Sequence, residues 1–205
     1  LTVIANPSKQ GSVKNILREK ARINVIKNMK FKHIKTIMAA LILGGAFLSQ
    51  PVHVSAQEEP QLISTHGPWS AYKFKENGQW VCYMVSQPQT DEGNYTSRGE
   101  IYALITHRPA ENTKHVFSYM AGYPYKKDSR VTVDIDGNTY QLFTHQETAW
   151  APDSNTDYKL KNAITAGSRM IVKGTSSRGT ATTDTYSLSG TTDAYTAISK
   201  ACGVN

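Results

Sequence analysis

Val131, Val133 and Ile135 alternate with Thr132, Asp134 and Asp136, so one face of this segment is apolar and the other is wet. Asp136-Gly137-Asn138 turns the chain, and Tyr140 and Leu142 return in phase with the same apolar face, which predicts a hairpin. Trp69–Phe74 and Trp80–Ser86 are aromatic and β-branched runs on either side of Glu76-Asn77-Gly78, a second hairpin signal. Ile101–His107 is almost continuously apolar and reads as a central strand covered on both faces. Val116–Ala121, ending at Gly122-Tyr123-Pro124, then Met170–Lys173 and Thr183–Leu188 complete the predicted strands.

Two short helices interrupt the strands. The first is predicted to start near Thr156 or Asp157, to place Leu160, Ala163 and Ile164 on one side, and to stop at Gly167. The second runs from about Thr192 to Ala201, where Ala194, Ala197, Ile198 and Ala201 recur at helical spacing. Asp193 suits its first turn, Lys200 its last, and Gly203 its C-terminal cap. Short strands with frequent turns predict a mainly β fold, a β-sandwich with two short helices; an open barrel is the alternative.

Charge divides the chain. Residues 1–56 hold nine Lys/Arg and one acid, Glu19, while residues 57–205 hold the other fourteen Lys/Arg and fifteen acids. The basic balance of the whole therefore says nothing about the folded part, and no nucleic-acid partner is expected. Met29 opens a signal-peptide pattern: Lys30, Lys32 and Lys35, an apolar run from Thr36 to about Leu48, then Pro51 and the small-residue motif Val54-Ser55-Ala56. Cleavage is expected between Ala56 and Gln57, and the apolar run is shorter than the ~20 residues of a membrane span, so no transmembrane anchor is expected after cleavage. Translation is expected to start at Met29, leaving residues 1–28 as a mis-called upstream extension; a long basic n-region is the alternative. The expected organisation is thus 1–28 extension, 29–56 signal peptide, 57–67 flexible leader and 68–205 β domain, periplasmic or secreted.

Cys82 and Cys202 are the only cysteines, and in an exported chain such a pair is expected to form a disulfide. A nucleophilic Cys82 near a histidine is the competing reading. His66, His107, His115 and His145 form no HxH, HExxH or Cys-His cluster, so no metal pattern is present. Asp134-Ile135-Asp136-Gly137-Asn138 places its Gly fourth, and position twelve is His145, so a turn accounts for it better than a calcium loop. No P-loop, dinucleotide fingerprint or GxSxG elbow occurs, and neither a cofactor nor catalytic residues are expected.

Surface candidates remain. Ser97-Arg98-Gly99 and Ser177-Arg178-Gly179 put two arginines on loops between strands, the second in a glycine-rich run from Gly174 to Thr180 that reads as a mobile loop. Two such arginines suit a carboxylate or phosphate, with solvated loop charge as the plain alternative. Tyr123, Tyr125, Lys126 and Lys127 beside a Gly/Pro turn form the candidate recognition surface; tyrosines covering a core rim are the alternative. Asn94-Tyr95-Thr96 has the form of a glycosylation acceptor, but a bacterial signal peptide gives no reason to expect its use.

From about Trp69 to Val204 the chain resembles the invasion-associated locus B family of exported alphaproteobacterial proteins. The resemblance is carried by Val81-Cys82-Tyr83-Met84-Val85-Ser86-Gln87-Pro88, Tyr102-Ala103-Leu104-Ile105-Thr106-His107-Arg108-Pro109 and Ala121-Gly122-Tyr123-Pro124-Tyr125. Thr148-Ala149-Trp150-Ala151, Met170 to Ser176 and Ser199-Lys200-Ala201-Cys202-Gly203 fit as well. Many members carry a cysteine in a Trp-x-x-x-Cys arrangement; Lys73 stands there in this chain, which removes the local partner and favours Cys82–Cys202. The resemblance implies an immunoglobulin-like fold, no catalytic residues and, through the family name, a contribution to host-cell interaction, although members in free-living bacteria keep virulence open. The expected function is a non-enzymatic envelope or secreted binding protein with a protein partner in the envelope or on a host cell. The alternatives are a periplasmic structural or stress-related factor that binds envelope proteins at a sheet edge, and a cryptic hydrolase built from distant residues such as His107, Asp134 and a serine.

Overall fold

The structure, a computed structural model, describes residues 59–204. The expected extension, signal peptide, cleavage point and start of the leader lie outside the described residues. Eleven strands form one antiparallel sheet: β1 (Gln61–His66), β2 (Trp69–Glu76), β3 (Gln79–Ser86), β4 (Thr90–Gly93), β5 (Tyr102–Arg108), β6 (Thr113–Met120), β7 (Arg130–Ile135), β8 (Asn138–His145), β9 (Thr148–Trp150), β10 (Arg169–Thr175) and β11 (Ala181–Ser187). The helices are α1 (Ser154–Ala166) and α2 (Thr191–Cys202). The order across the sheet is β1-β2-β3-β5-β6-β9-β8-β7-β10-β11-β4.

The predicted hairpins form for the predicted reason. Asn77 and Gly78 both have positive φ, as do Asp136 and Gly137, which gives the two-residue turns whose twist matches that of the flanking strands. Asp134 adds a carboxylate oxygen that accepts from the Gly137 N–H at 3.1 Å, so the aspartate-rich run is a turn. In β7, Val131, Val133 and Ile135 are buried while Thr132 and Asp134 are half-buried, and Leu142 joins them from β8.

The sheet coils until strands remote in the ladder meet. The Trp69 indole N–H on β2 donates to the Ser187 carbonyl on β11 at 2.9 Å, and the Tyr119 hydroxyl on β6 donates to Asp184 on β11. Inside lies one core that includes Trp69, Met84, Ile105, Phe117, Leu142 and Tyr186, closed by Leu160 and Ile164 of α1 and Ala194 and Ile198 of α2. The mainly β fold with two helices is as expected. The hydrogen-bonded ladder is continuous, however, and does not divide into the two sheets of an immunoglobulin-type sandwich.

Three strands depart from the expected pattern. Gln61–His66, expected within a flexible leader, is the edge strand β1: it pairs with β2, and only its partly buried Ile63 packs against the core, so its apolar signal is faint. β4 is short, acidic and exposed throughout, and β9 is a three-residue strand buried throughout between β6 and β8; neither alternates. The glycine-rich run is also not an open loop. Gly174 and Thr175 extend β10, and Ser176–Thr180 is a turn closed by Ser176 N–H to Thr180 O at 2.9 Å and Gly179 N–H to Ser176 O at 2.9 Å.

The helices are fastened end to end. Asp153 caps α1 by accepting from the Thr156 N–H at 2.8 Å, and buried Asp157 in its first turn accepts from the Phe117 N–H of β6 at 2.8 Å. At the other end of α1, the hydroxyls of Thr191 and Thr192 donate to the Ile164 and Thr165 carbonyls, which have no partner within their own helix. Gly203, at φ 62°, ends α2 in the left-handed conformation. One residue earlier, Cys202 bonds covalently to Cys82 on β3, with Cα atoms 6.0 Å apart and a sequence separation of 120. Both thiols are consumed, so Cys82 is no nucleophile in this state.

The bridge closes so long a loop that the chain-entropy account gives it about 4–5 kcal/mol, less any native strain. Reduction, or the double change Cys82→Ala and Cys202→Ala, is expected to lower the unfolding free energy by about 2–5 kcal/mol. Urea unfolding of the oxidised and reduced chain checks this, and coincident curves would contradict it.

Candidate functional site

Three loops converge beside the end of β10 and enclose an open cleft of about 610 Å³. Its walls are the segment from Asn94 to Gly99 between β4 and β5, the turn Gly122-Tyr123-Pro124 after β6, and the Ser176–Thr180 turn with Thr182 of β11. The walls are stapled by backbone: Gly99 N–H to Gly122 O at 2.9 Å, Ser177 N–H to Pro124 O at 2.7 Å and Lys126 N–H to Thr175 O at 3.0 Å. Gly122 has φ +72°, and a Cβ there would lie 2.3 Å from the Gly99 carbonyl oxygen, so no other residue brings these two walls so close.

The floor is a buried ion pair. Asp184 is fully buried on β11, where Thr182, Asp184 and Tyr186 share the inward phase. Arg98 reaches down from the first wall and grips it bidentately, with Nη1 to Oδ1 and Nη2 to Oδ2 both 2.7 Å. Its Nε donates to the Ala121 carbonyl at 2.7 Å, and Nη2 also donates to the Tyr119 hydroxyl at 3.2 Å. Its guanidinium lies over the rings of Tyr123 and Tyr95, 4.9 Å and 5.6 Å from their centroids. Burial, with Tyr186 and Asp184 beside it, holds the Tyr119 phenol well above its usual range, so it stays protonated and donates to Asp184.

Tyr123 completes the floor. Its hydroxyl sits 2.6 Å from the Thr182 hydroxyl, and its ring meets Tyr125 edge-on at 5.3 Å. Both rings lie over Gly174: a Cβ there would be 2.8 Å from the Tyr123 hydroxyl oxygen and 3.0 Å from a Tyr125 ring carbon.

The sequence candidates separate accordingly. Arg98, Tyr123 and Arg178 come together at the cleft. Arg98 is not available to a ligand as expected, because its side chain is 3% exposed and its charge is matched by Asp184. Tyr125 is buried in the core beneath, so it is no recognition residue: it follows Pro124 on the inward phase, in an isolated bridge with Ser176. Lys126 and Lys127 are exposed but do not line the cleft. Arg178 is exposed on the cleft wall, and its guanidinium makes no ion pair among the described residues. Asp184 and Tyr95 were not among the candidates. The signal for Asp184 was its phase: a carboxylate in register with the inward Tyr186 has to find a cation.

The hydrolase constellation does not assemble. Asp134 is on β7 at its turn, while His107 is fully buried on β5. The His115 backbone N–H donates to His107 Nδ1 at 3.1 Å, which leaves the proton on Nε2, pointing at the Ser199 hydroxyl of α2 at 3.1 Å. An Nε2 that carries the proton cannot take one from that hydroxyl. His115 Nδ1 in turn lies 2.7 Å from the Tyr195 hydroxyl, so the two imidazoles seat α2 on the sheet. Among the described residues no group of His, Cys, Asp or Glu is placed to hold a metal, and no helix is long and apolar enough to cross a membrane.

The family model described as invasion associated locus B (IalB) protein matches residues 69–199. Among solved structures, invasion associated protein b from Bartonella henselae is similar, with 16% identity, a TM-score of 0.47, and coverage of 72% of this chain and 97% of that one. No curated protein matches.

Two predictions follow from the buried groups. Asp184→Ala strands the Arg98 charge and is expected to cost about 3–5 kcal/mol, whereas Arg98→Met with Asp184→Leu costs less than either single change. A double-mutant cycle by urea unfolding measures this, and additive losses would contradict the pairing. Burial, reinforced by Lys161 and Lys114, lowers the pKa of both His107 and His115 from 6.5 to about 4. The unfolded chain therefore takes up those protons first. The stability they contribute is complete above about pH 6.5 and is lost as pH falls toward 4. Unfolding at pH 7.5 and 4.5 reads the loss, and His115→Gln should make it shallower; an unchanged slope would assign the effect elsewhere.

Proposed function

This chain belongs to the invasion associated locus B family, and on that footing we propose that it is an exported, non-enzymatic binding protein of the bacterial envelope or exterior, with the cleft as its binding site. The observation that carries this is how the cleft is built: three stapled walls, a floor braced by a buried ion pair, and one guanidinium, that of Arg178, without an ion-pair partner among the described residues. Such pre-organisation lowers the ordering cost of binding. Export is supported by the signal pattern at residues 29–56 and by the disulfide, a bond that persists in oxidising compartments. A partner in the envelope or on a host cell, and with it a contribution to host-cell interaction, belongs to the same reading.

The second reading, a factor that binds other envelope proteins at a sheet edge, has an observation of its own. β1 and β4 are the two ends of the ladder. β4 carries Asp91 and Glu92, charges that discourage edge pairing. β1 reads Gln61-Leu62-Ile63-Ser64-Thr65-His66, without Lys, Asp, Glu or Pro, and Leu62 is 58% exposed. It therefore has the character of an edge that accepts an added strand.

Fractionation of cells making the full chain, followed by N-terminal sequencing, is expected to find it outside the cytoplasm beginning at Gln57. An uncleaved cytoplasmic chain would defeat the export proposal. Crosslinking on intact cells with mass-spectrometric readout separates the two binding surfaces: partners lost in Arg178→Ala place recognition at the cleft, and partners lost in Leu62→Lys place it at β1.

A further inference from the structure

We infer that the cleft takes a hydroxylated anion of the saccharide class, a sugar acid or a sugar phosphate, with Arg178 as the partner of its charge. This rests on the cleft being the binding site and adds the chemistry of what enters it.

The electrostatics come first. Among the described residues that line the cleft there are two cations, Arg98 and Arg178, and no Asp or Glu. Asp184 cancels the charge of Arg98 through two 2.7 Å hydrogen bonds, so the charge left to the cleft is that of Arg178. Its planar fork of donors matches a carboxylate or a phosphate, and no lining carboxylate competes for it.

The rest of the lining decides what carries that anion. Asn94, Thr96, Ser97, Ser177 and Thr180 present amide and hydroxyl groups that both donate and accept. That is the complement of a ligand dense in hydroxyls. The apolar lining is Pro124 with the rings of Tyr95 and Tyr123, and Arg98 occupies one side of both rings. Among the described residues that line the cleft, no aliphatic side chains form a pocket to anchor an apolar peptide residue, which is how protein partners usually gain affinity. The volume, about 610 Å³, lies in the range of roughly 300–1,000 Å³ for small-ligand sites.

The test uses the full chain, oxidised and folded, titrated with galacturonate, glucose 6-phosphate, glucose and inorganic phosphate. Amide NMR shifts locate binding and calorimetry measures it. One or both of the charged sugars should move resonances of residues 94–99 and 176–180 and bind at least roughly tenfold tighter than glucose. Which of the two binds distinguishes a carboxylate from a phosphate source. Arg178→Ala should weaken that binding roughly tenfold or more, and Arg178→Lys by less, since it keeps the charge and loses the fork. Glucose binding as tightly as the charged sugars, unchanged in Arg178→Ala, would overturn the anionic class and leave the cleft standing as a site. Inorganic phosphate binding as tightly as glucose 6-phosphate would overturn the saccharide class. No shift in the cleft loops with any of the four overturns this inference; if the Arg178→Ala crosslinking partners are also retained, the cleft reading falls with it.

Discussion

A carboxylate at the centre of a β core is the constraint on which the rest depends. Asp184 has no solvent exposure, and an ionised carboxylate in that position is tolerable only with a cation and further donors around it. Arg98 comes from a loop between β4 and β5, Tyr119 from β6, and the carboxylate from β11. Satisfying one acid therefore draws together parts of the sheet that the ladder keeps apart. The same contact holds the Asn94–Gly99 wall against Gly122, so the cleft is a by-product of solving a desolvation problem beneath it.

The other end of the fold is fixed by different means. α2 covers β1, β2, β3 and β5, is held to the sheet by buried imidazoles and one covalent bond, and is tied to α1 by threonine hydroxyls. Neutral histidines suit this place because each offers one donor and one acceptor at fixed positions, and a single tautomer lets His107 serve both the β6 backbone and Ser199. The disulfide then joins the last turn of α2 to β3, a central strand, so the terminal helix cannot leave without exposing the core it closes. Hydrogen bonds position this helix; the covalent link keeps it from fraying away.

Much of this was legible in the chain, and what was not has physical reasons. Strands that bury one face, such as Val131-Thr132-Val133-Asp134-Ile135, declare themselves by alternation, and Asn-Gly and Asp-Gly declare their turns. β1 and β9 fall outside that rule in opposite directions, one with no buried residue and one wholly buried, so neither carries a period of two. The start of α1 is blurred because Asp153-Ser154-Asn155-Thr156 is a run of residues that all suit a cap. At the cleft, Arg98, Tyr123 and Arg178 were visible as candidates, but burial is a property of the assembled sheet. That property removed Tyr125 from the surface and gave Arg98 a structural partner.

The two Ser-Arg-Gly segments make the point about charge most sharply. Ser97-Arg98-Gly99 and Ser177-Arg178-Gly179 are the same three residues, both lie between strands, and both reach the same cleft. One guanidinium descends to a carboxylate and is 3% exposed; the other stays on an exposed turn closed by its own backbone. Local sequence cannot distinguish them, because the difference lies in Asp184, 86 residues away along the chain from Arg98. A tally of arginines would give this cleft two positive charges. Subtracting the pair that the core has already spent leaves one, and a site with one unmatched cation among neutral hydrogen-bonding groups selects for a singly anchored, hydroxyl-rich anion rather than for a polyanion.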